Sequence, residues 1–206
     1  MRLIVISPEA EDARERAVLV ELVAVGLEHY HLRKPTWSRE QLAAWLRALP
    51  ESMHARIVLH SHHDLAADFA LGGLHDRDQP AQHAFHSYAG TRPPIHLRSR
   101  AVHTLSALRD SLEDYDRLLL SPVFPSLSKP GYGPSADFSF ADLQTVFALP
   151  RRAEIVALGG IDAARIPTCR EVGFDAVAVL GAIWQSADPL RAFHQLNHAC
   201  HHAHAA

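Results

Sequence analysis

Two short apolar runs near the end of the chain decide the fold: IVALGGI (residues 155–161) and AVAVLGAI (residues 176–183). Neither run alternates strictly between apolar and polar residues, which is typical of parallel strands buried on both faces. The segment between them is long enough for one helix, so they are predicted to be two consecutive βα units. Each run ends at glycine, which allows the backbone of a loop or a ligand to come close.

The same alternation of strand and helix continues along the whole chain. The clearest helix begins at Ser38, where SREQLAAWLRAL carries apolar residues at helical spacing behind a plausible N-cap. The predicted strands cover residues 3–7, 28–33, 56–60, 73–75, 94–99, 117–122, 155–160 and 176–181. Eight such units predict an α/β protein with one eight-stranded parallel TIM barrel over residues 1–206, of which 200–206 form a frayed tail. A doubly wound open sheet is the alternative.

Composition narrows the class of protein. The chain has 206 residues, of which 48% are hydrophobic and 21% charged, and its net charge of -3 gives no basic field for nucleic acid. Two cysteines, Cys169 and Cys200, fit a reducing compartment. The first apolar run is too short for a signal peptide or a membrane span. A cytoplasmic protein without nucleic-acid or membrane partners is predicted, and the sequence leaves open whether it is a homo-oligomer.

The barrel locates the expected chemistry. Active sites of TIM barrels lie at the carboxyl ends of the strands, and the loops after the seventh and eighth strands frequently bind phosphate with backbone amides. The candidate phosphate-binding residues in those loops are Gly159, Gly160, Leu180 and Gly181. Tight turns without a ligand are the alternative explanation of these glycines.

The loop after the sixth strand, SPVFPSLSKPGYGP (residues 121–134), provides a second group of candidates. Ser126, Ser128 and Lys129 offer hydroxyls and an ammonium group, which are suitable partners for phosphate oxygens. The prolines and glycines of the loop predict an irregular but restrained active-site flap. An ordinary solvated loop is the alternative.

Taken in order, these segments resemble the thiamine-phosphate synthase and TenI family. The most specific similarities join LLLSPVFPSLSKP (residues 118–130) to the family's GP-x-F-x-T-x-TK loop, and the two glycine-ended runs to its IGGI and AVVSAI strands. The segments HLRKP (31–35) and SRAVHTLSAL (99–108) are weaker matches. The resemblance implies a βα barrel that joins hydroxymethylpyrimidine diphosphate to thiazole phosphate. Pyrophosphate leaves with the help of Mg²⁺, and the thiazole nitrogen attacks the pyrimidine carbocation.

The resemblance also implies roles for individual residues. Arg33 matches the arginine of the family's Q-x-R-x-K signature, Lys129 the lysine that contacts the diphosphate, and Ser99 a serine near it. Arg33 and Lys129 are therefore predicted catalytic residues of a synthase. The matches in the flap and at the thiazole-phosphate end are Ser126, Ser128, Gly160, Leu180 and Gly181.

The departures from the family pattern concern the metal and the signature. The magnesium-binding Asn and Asp are His60 and Ser61 here. Asp76 and Asp78 lie close to the position of the family's later aspartate, and Asp78 is the candidate ligand for Mg²⁺, which prefers carboxylate and water oxygens. His31 replaces the signature glutamine, and Lys34 stands one place before the signature lysine, which leaves it a candidate phosphate ligand. The sequence thus predicts a synthase with a weakened Mg²⁺ site.

Two other functions remain open at this stage. A TenI-like thiazole tautomerase would need no metal and could use His31 or His60 as its base, because the ordinary pKa of histidine lies near neutrality. A thiazole-phosphate binder without catalysis is the third possibility. The chain has sixteen histidines, and a zinc or nickel site is weighed against simple compositional bias. The histidines considered for that site are His31, His60, His62, His75 and His96.

Overall fold

The structure, a computed structural model, describes residues 1–77, 96–125, 133 and 139–202. Eight parallel strands pair in sequence order, and the first also pairs with the last, so the sheet closes into a barrel. The strands are β1 (Arg2–Ile6), β2 (His29–Leu32), β3 (Ile57–Leu59), β4 (Gly73–Asp76), β5 (Leu97–Val102), β6 (Arg117–Leu120), β7 (Glu154–Leu158) and β8 (Ala176–Val179). The predicted TIM barrel is confirmed, and the open sheet is excluded.

Helices follow the strands around the outside. They are α1 (Glu15–Ala24), α2 (Arg39–Arg47), α3 (Leu105–Asp110), α4 (Phe140–Phe147), α5 (Ile166–Val172), α6 (Gly181–Trp184) and α7 (Pro189–His201), with 3₁₀ helices at Glu51–Arg56 and His63–Ala67. Ser38 caps α2 as predicted: its hydroxyl accepts from the Gln41 amide, and the Gln41 side chain accepts from the Ser38 amide. No helix among the described residues is long and apolar enough to span a membrane.

Side-chain alternation divides each strand between two cores. On β1, Leu3 and Val5 face the large core between barrel and helices, whereas Ile4 and Ile6 face the barrel interior. The interior apolar cluster consists of Ile4, Ile6, Leu119, Val156, Ala176 and Ala178.

A charged layer fills the amino-terminal end of the barrel. Arg117 of β6 is buried, and its Nη2 donates to Glu154 Oε2 of β7 at 2.8 Å. Arg2 of β1 also pairs with Glu154. Burial and the neighbouring Arg2 lower the pKa of Arg117 to about 10. Because this layer occupies the amino-terminal end, ligands are expected at the opposite, carboxyl-terminal end.

The strand ends lie within two residues of the prediction except in β5, and the carboxyl-terminal tail differs as well. Strand β5 continues to Val102, because Ser99 to Val102 pair in register with β6, so Ser99 lies inside the strand instead of at its end. The predicted frayed tail is wrong for Cys200 and His201, which belong to α7, and residues 203–206 lie outside the described residues. Cys200 is buried in α7, and Arg170 donates to the carbonyl oxygens of Ala199 and Cys200 at 2.8 Å, which satisfies the end of that helix.

Candidate active site

A cavity of about 630 Å³ opens at the carboxyl-terminal end of the barrel. Its wall includes a residue at or just after every strand, which is where the sequence places the site. Taken from β1 to β8, these residues include Ile6, Arg33, His60, His75, Ala101, Ser121, Gly159 and Gly181.

The double glycine after β7 is held against the loop that follows β6. Gly159 and Gly160 have φ angles of 95° and 65°, in the left-handed region that favours glycine. A Cβ on Gly159 would lie 2.9 Å from Pro122, and one on Gly160 would overlap the carbonyl oxygen of Pro125. Both glycines line the cavity, but the close approach that requires them is made by the backbone of the neighbouring loop.

Gly181, unlike the double glycine, is not held against a neighbouring loop. It begins α6, and the first amides of a helix have no hydrogen-bond partner within that helix. Gly181 and Ala182 both line the cavity, so their amides can meet an anion there. A Cβ on Gly181 would reach only the Gln185 side chain, at an ordinary 3.4 Å. Packing therefore does not require glycine at this position.

Arg165 joins the loops after β6 and β7, and the sequence analysis missed it. Its Nη1 donates to the carbonyl oxygens of Gly160 and Pro125, and its guanidinium lies 5.4 Å from the centre of the Phe124 ring. The signal in the sequence was an arginine only five residues after the double glycine, close enough to reach back to that loop. Arg165 fixes the shape of this wall of the cavity.

The opposite side of the cavity carries cations. Arg33 follows β2, and its Nη1 lies 2.6 Å from Glu9 Oε1, with 40% of its side chain exposed. Ser7 holds the backbone there, because its hydroxyl donates to the Arg33 carbonyl and accepts from the Arg33 amide. Arg77, which follows β4, is a second lining cation. Strand β3, between these two, faces β7 across the eight-stranded ring.

Lys34 does not line the cavity with its charge. Its Nζ donates to the carbonyl oxygens of Pro8 and Ala10 at 2.6 and 3.0 Å and to Glu15 Oε2 at 2.6 Å. The Tyr30 hydroxyl donates to the same carboxylate at 2.7 Å. An ammonium group has three donors, and all three are used within the protein. The predicted phosphate contact by Lys34 is therefore wrong, because the strand turns its side chain away from the cavity.

Three histidines meet at the β2–β4 side of the cavity. His31 Nδ1 lies 2.9 Å from His60 Nε2, and the rings of His60 and His75 stack with their centres 4.0 Å apart. His60 and His75 line the cavity, while His31 is fully buried behind them. Burial and the neighbouring rings lower the pKa of His31 and His60 well below the ordinary value. Burial is the main cause that lowers the pKa of His75 to about 3, and the nearby His63 and Arg33 add to it. All three rings are therefore neutral at pH 7.

Ser99 supports this histidine cluster from inside the barrel. It is fully buried, its hydroxyl lies 2.9 Å from His75 Nδ1, and it donates to the Leu74 carbonyl oxygen at 3.2 Å. Ala101, two residues further along β5, lines the cavity in its place. The predicted place of Ser99 beside a diphosphate is not met, because β5 extends beyond it.

Two of the histidines considered in the sequence do not join the cluster. His62 is exposed, with its Nε2 3.2 Å from the Trp37 carbonyl oxygen. His96 is exposed and precedes β5, so it lies at the amino-terminal end of the barrel.

His103, at the end of β5, is a cavity residue that the sequence analysis did not single out. Its Nδ1 lies 2.6 Å from the Ser121 carbonyl oxygen. A carbonyl oxygen only accepts, so His103 Nδ1 carries a proton. No local signal marked it, because the predicted fifth strand ended at residue 99 and only the observed strand reaches Val102.

The described part of the cavity does not fit Mg²⁺. Its only carboxylate is that of Glu9, which pairs with Arg33. Asp76 is buried on the outer side of β4, where it accepts from the Tyr115 hydroxyl at 3.2 Å. Mg²⁺ prefers carboxylate and water oxygens, whereas this wall offers mainly imidazoles. Four predicted site residues lie outside the described residues: Asp78, Ser126, Ser128 and Lys129.

A sequence model of the family described as TMP-TENI, thiamine monophosphate synthase, matches residues 3–183. A thiamine-phosphate synthase of Methylobacillus flagellatus is 28% identical over 206 residues, with 94% of each chain covered. A thiamine-phosphate synthase of Haemophilus influenzae strain PittEE is 29% identical over 150 residues, with 71% of this chain covered. That match spans 64% of the Haemophilus protein, less than two thirds of its length.

Solved structures show the same fold. A thiamine phosphate pyrophosphorylase from Bacteroides thetaiotaomicron superposes with a TM-score of 0.76 at 22% identity, covering 98% of this chain and 100% of that one. One from Pyrococcus furiosus gives a TM-score of 0.75 at 17% identity, covering 97% and 95%. At these identities the likeness establishes the barrel alone.

Proposed function

This chain belongs to the thiamine monophosphate synthase and TenI family, and we propose that it joins hydroxymethylpyrimidine diphosphate to thiazole phosphate with release of pyrophosphate. The observation that carries the proposal is that groups able to bind anions lie on two opposite sides of the cavity. The amides of Gly181 and Ala182, in the first turn of α6, lie at the β7–β8 side, and the cations Arg33 and Arg77 lie at the β2–β4 side. Two anion sites facing each other suit two phosphorylated substrates.

Each side of the cavity would hold one substrate. The amides of Gly181 and Ala182 would bind the thiazole phosphate, while the β6–β7 wall that Arg165 fixes would set its depth. Arg33 would bind the diphosphate with its planar fork of donors, a geometry that matches phosphate oxygens. Arg77 would add a second positive charge.

The reaction then depends on positive charge near the leaving diphosphate and on the exclusion of water from the cavity. As the diphosphate leaves, negative charge grows on its oxygens, and fixed cations stabilise that charge most in a water-poor site. Leu119, Leu158 and Ala178 provide apolar wall around the developing pyrimidine carbocation. No step is assigned to Mg²⁺, since the described donors do not fit it. The predicted phosphate contacts of Ser126, Ser128 and Lys129 remain part of this proposal, and Asp78 remains its candidate metal ligand, to which no step is assigned.

The test is synthesis of thiamine phosphate from the two purified substrates, followed by chromatography, with Mg²⁺ and with chelator. We expect product, and we expect Arg33→Gln to lower kcat/KM about 10- to 100-fold, the usual cost of a charge-assisted hydrogen bond. Arg47→Gln, an exposed arginine on α2, is the matched control and should leave kcat/KM unchanged. Absence of product at every Mg²⁺ concentration would remove the synthase proposal.

A second candidate function is thiazole tautomerisation by proton transfer. It is favoured by His60 and His103, whose rings both line the cavity. A neutral imidazole can take up a proton directly, whereas a charged one cannot. Deuterium exchange into thiazole carboxylate phosphate, followed by NMR, would test it. Loss of exchange in His60→Gln or His103→Gln would support the tautomerase, and wild-type exchange in both variants would exclude these bases.

A further inference from the structure

We propose that His31, His60 and His75 form a binding site for Zn²⁺ at the floor of the cavity, with an open coordination position facing the substrates. The proposal concerns metal binding itself, which is measured without substrate and therefore stands apart from the proposed synthase reaction. It also differs from a magnesium site, because its ligands are nitrogen atoms.

The geometry brings three ligand atoms together. Each histidine offers one ring nitrogen as a ligand, and these three nitrogen atoms all lie within 4.8 Å of one another. The three residues belong to, or directly follow, the consecutive strands β2, β3 and β4, which pair in parallel register. Barrel strands are rigid supports, so the cluster is held by the fold and does not depend on a loop.

Ser99 fixes the tautomer that metal binding needs. A hydroxyl has one hydrogen, and Ser99 donates it to the Leu74 carbonyl oxygen. The contact of 2.9 Å with His75 Nδ1 must then be donated by His75. The remaining nitrogen, Nε2, carries a lone pair and can bind a metal. A ligand histidine whose other nitrogen is held by a hydrogen bond is the usual outer arrangement of a zinc site.

Metal binding needs a small separation of His31 and His60, and a rotation of the stacked rings of His60 and His75, because an imidazole lone pair lies in the plane of its ring. The facing nitrogens of His31 and His60 lie 2.9 Å apart, as in a hydrogen bond. Two imidazole nitrogens on one tetrahedral Zn²⁺ lie about 3.4 Å apart, so the pair would separate by about half an ångström.

The donor set selects the metal class and the kind of site. Three imidazoles suit zinc-class ions, and the described cavity adds no free carboxylate that would favour Mg²⁺. Neutral imidazole is the form that binds a metal. Because His60 and His75 line the cavity, the fourth position faces solvent or a substrate phosphate oxygen, as in catalytic zinc sites.

The experiment must remove metal binding at the surface. Helix α7 carries His194 and His198 one turn apart, and the rings of His198 and His202 lie 4.3 Å apart. These exposed histidines can bind Zn²⁺ themselves. Titrations therefore use the full chain carrying His194→Gln, His198→Gln and His202→Gln as the reference protein.

We expect the chelator-treated reference protein to bind one Zn²⁺ per chain by calorimetry. Co²⁺ at the same site should give the intense visible absorption of a tetrahedral ion. His60→Gln or His75→Gln should weaken Zn²⁺ binding by more than about 100-fold, and Ser99→Ala by about 10- to 100-fold. His62→Asn, an exposed histidine next to the cluster in sequence, should bind as the reference does.

Circular dichroism and a cooperative urea transition check that each variant is folded. If one histidine variant fails to fold, the other and Ser99→Ala still decide the question. Binding that is absent in the reference protein, or equal in reference and cluster variants, would overturn the proposal, as would a weak octahedral Co²⁺ spectrum.

Discussion

Arg33 and Lys34 are consecutive in the chain, yet their charges meet opposite surroundings. Arg33 reaches the cavity and is 40% exposed, whereas the Lys34 side chain is fully buried beside Glu15. Successive residues at the end of a strand point to opposite faces, so one faces the barrel mouth and the other the helices. Arg33 is therefore expected to contribute to ligand binding, and Lys34 to stability.

We expect Lys34→Met to lower the free energy of unfolding by about 3–5 kcal/mol, because it leaves the buried Glu15 carboxylate without its cation. The affinity for pyrophosphate, measured by calorimetry on the folded fraction, should not change. Arg33→Gln should show the reverse: weaker pyrophosphate binding, with stability within about 0.5 kcal/mol of wild type. A Lys34→Met protein of wild-type stability in urea would contradict the structural role given to this pair.

Gly160 and Gly181 also differ in how much the stability of the fold depends on them. We expect Gly160→Ala to cost about 1–3 kcal/mol of stability, because its φ angle of 65° and the adjacent Pro125 carbonyl leave no room for a side chain. Gly181→Ala should leave stability unchanged or raise it, since alanine favours the helix more than glycine does. Equal urea midpoints for the two variants would show that the β6 loop does not press on the double glycine.

At the scale of elements, the cavity wall depends on two loops held together by one side chain. Arg165 lies at the start of α5 and reaches back to the carbonyl oxygens of Gly160 and Pro125. Arg170, one turn and a half further along the same helix, instead donates to the end of α7. The same residue type thus stabilises a site at one end of α5 and the packing of helices at the other.

Arg165→Leu should raise the Kd for thiazole phosphate about 5- to 10-fold, because two hydrogen bonds that shape the wall are lost. Arg170→Leu is the matched control on the same helix. We expect it to lower the Tm while leaving the Kd unchanged, as measured by calorimetry and thermal unfolding. A similar change of Kd in both variants would mean that helix stability, not the shape of the loop, controls binding.

At the scale of the whole molecule, the last helix closes the structure onto its beginning. Helix α7 packs against α1, α5 and β1, and the amino-terminal ammonium group donates to the Cys200 carbonyl oxygen at 3.3 Å. Both cysteines are buried in this region, Cys169 on α5 and Cys200 on α7. Burial raises the pKa of Cys169 to about 12 and that of Cys200 to about 11.

We expect neither thiol of the folded chain to react readily with a disulfide reagent at pH 8. The thiolate is the reactive form, and at a pKa of about 12 roughly one Cys169 in 10⁴ is ionised at that pH. In denaturant both thiols should react at once, and the labelling rate below the transition should follow opening of the α5–α7 region. Fast labelling of the folded chain would show that α7 does not stay packed on the barrel.

Much of this architecture could be read from local sequence. The apolar runs and helix caps predicted all eight strands, because burial on both faces leaves a signal within a few residues. The glycine-ended runs at 155–161 and 176–183 also located one wall of the cavity. Strand ends were less certain. Ser99 looked terminal, but pairing with β6 extends β5, and a backbone ladder between distant segments leaves no local mark.

By itself, therefore, the sequence determined the barrel and the end of it where a ligand is expected, since both follow from the period and order of its apolar runs. Only the tertiary structure decided that Lys34 is buried with Glu15, that Ser99 supports His75, and that His31, His60 and His75 meet while His62 and His96 do not. The physical reason is that these contacts join residues from different strands. Their distances depend on closure of the sheet, in which the stagger of neighbouring strands sets which side chains share a layer.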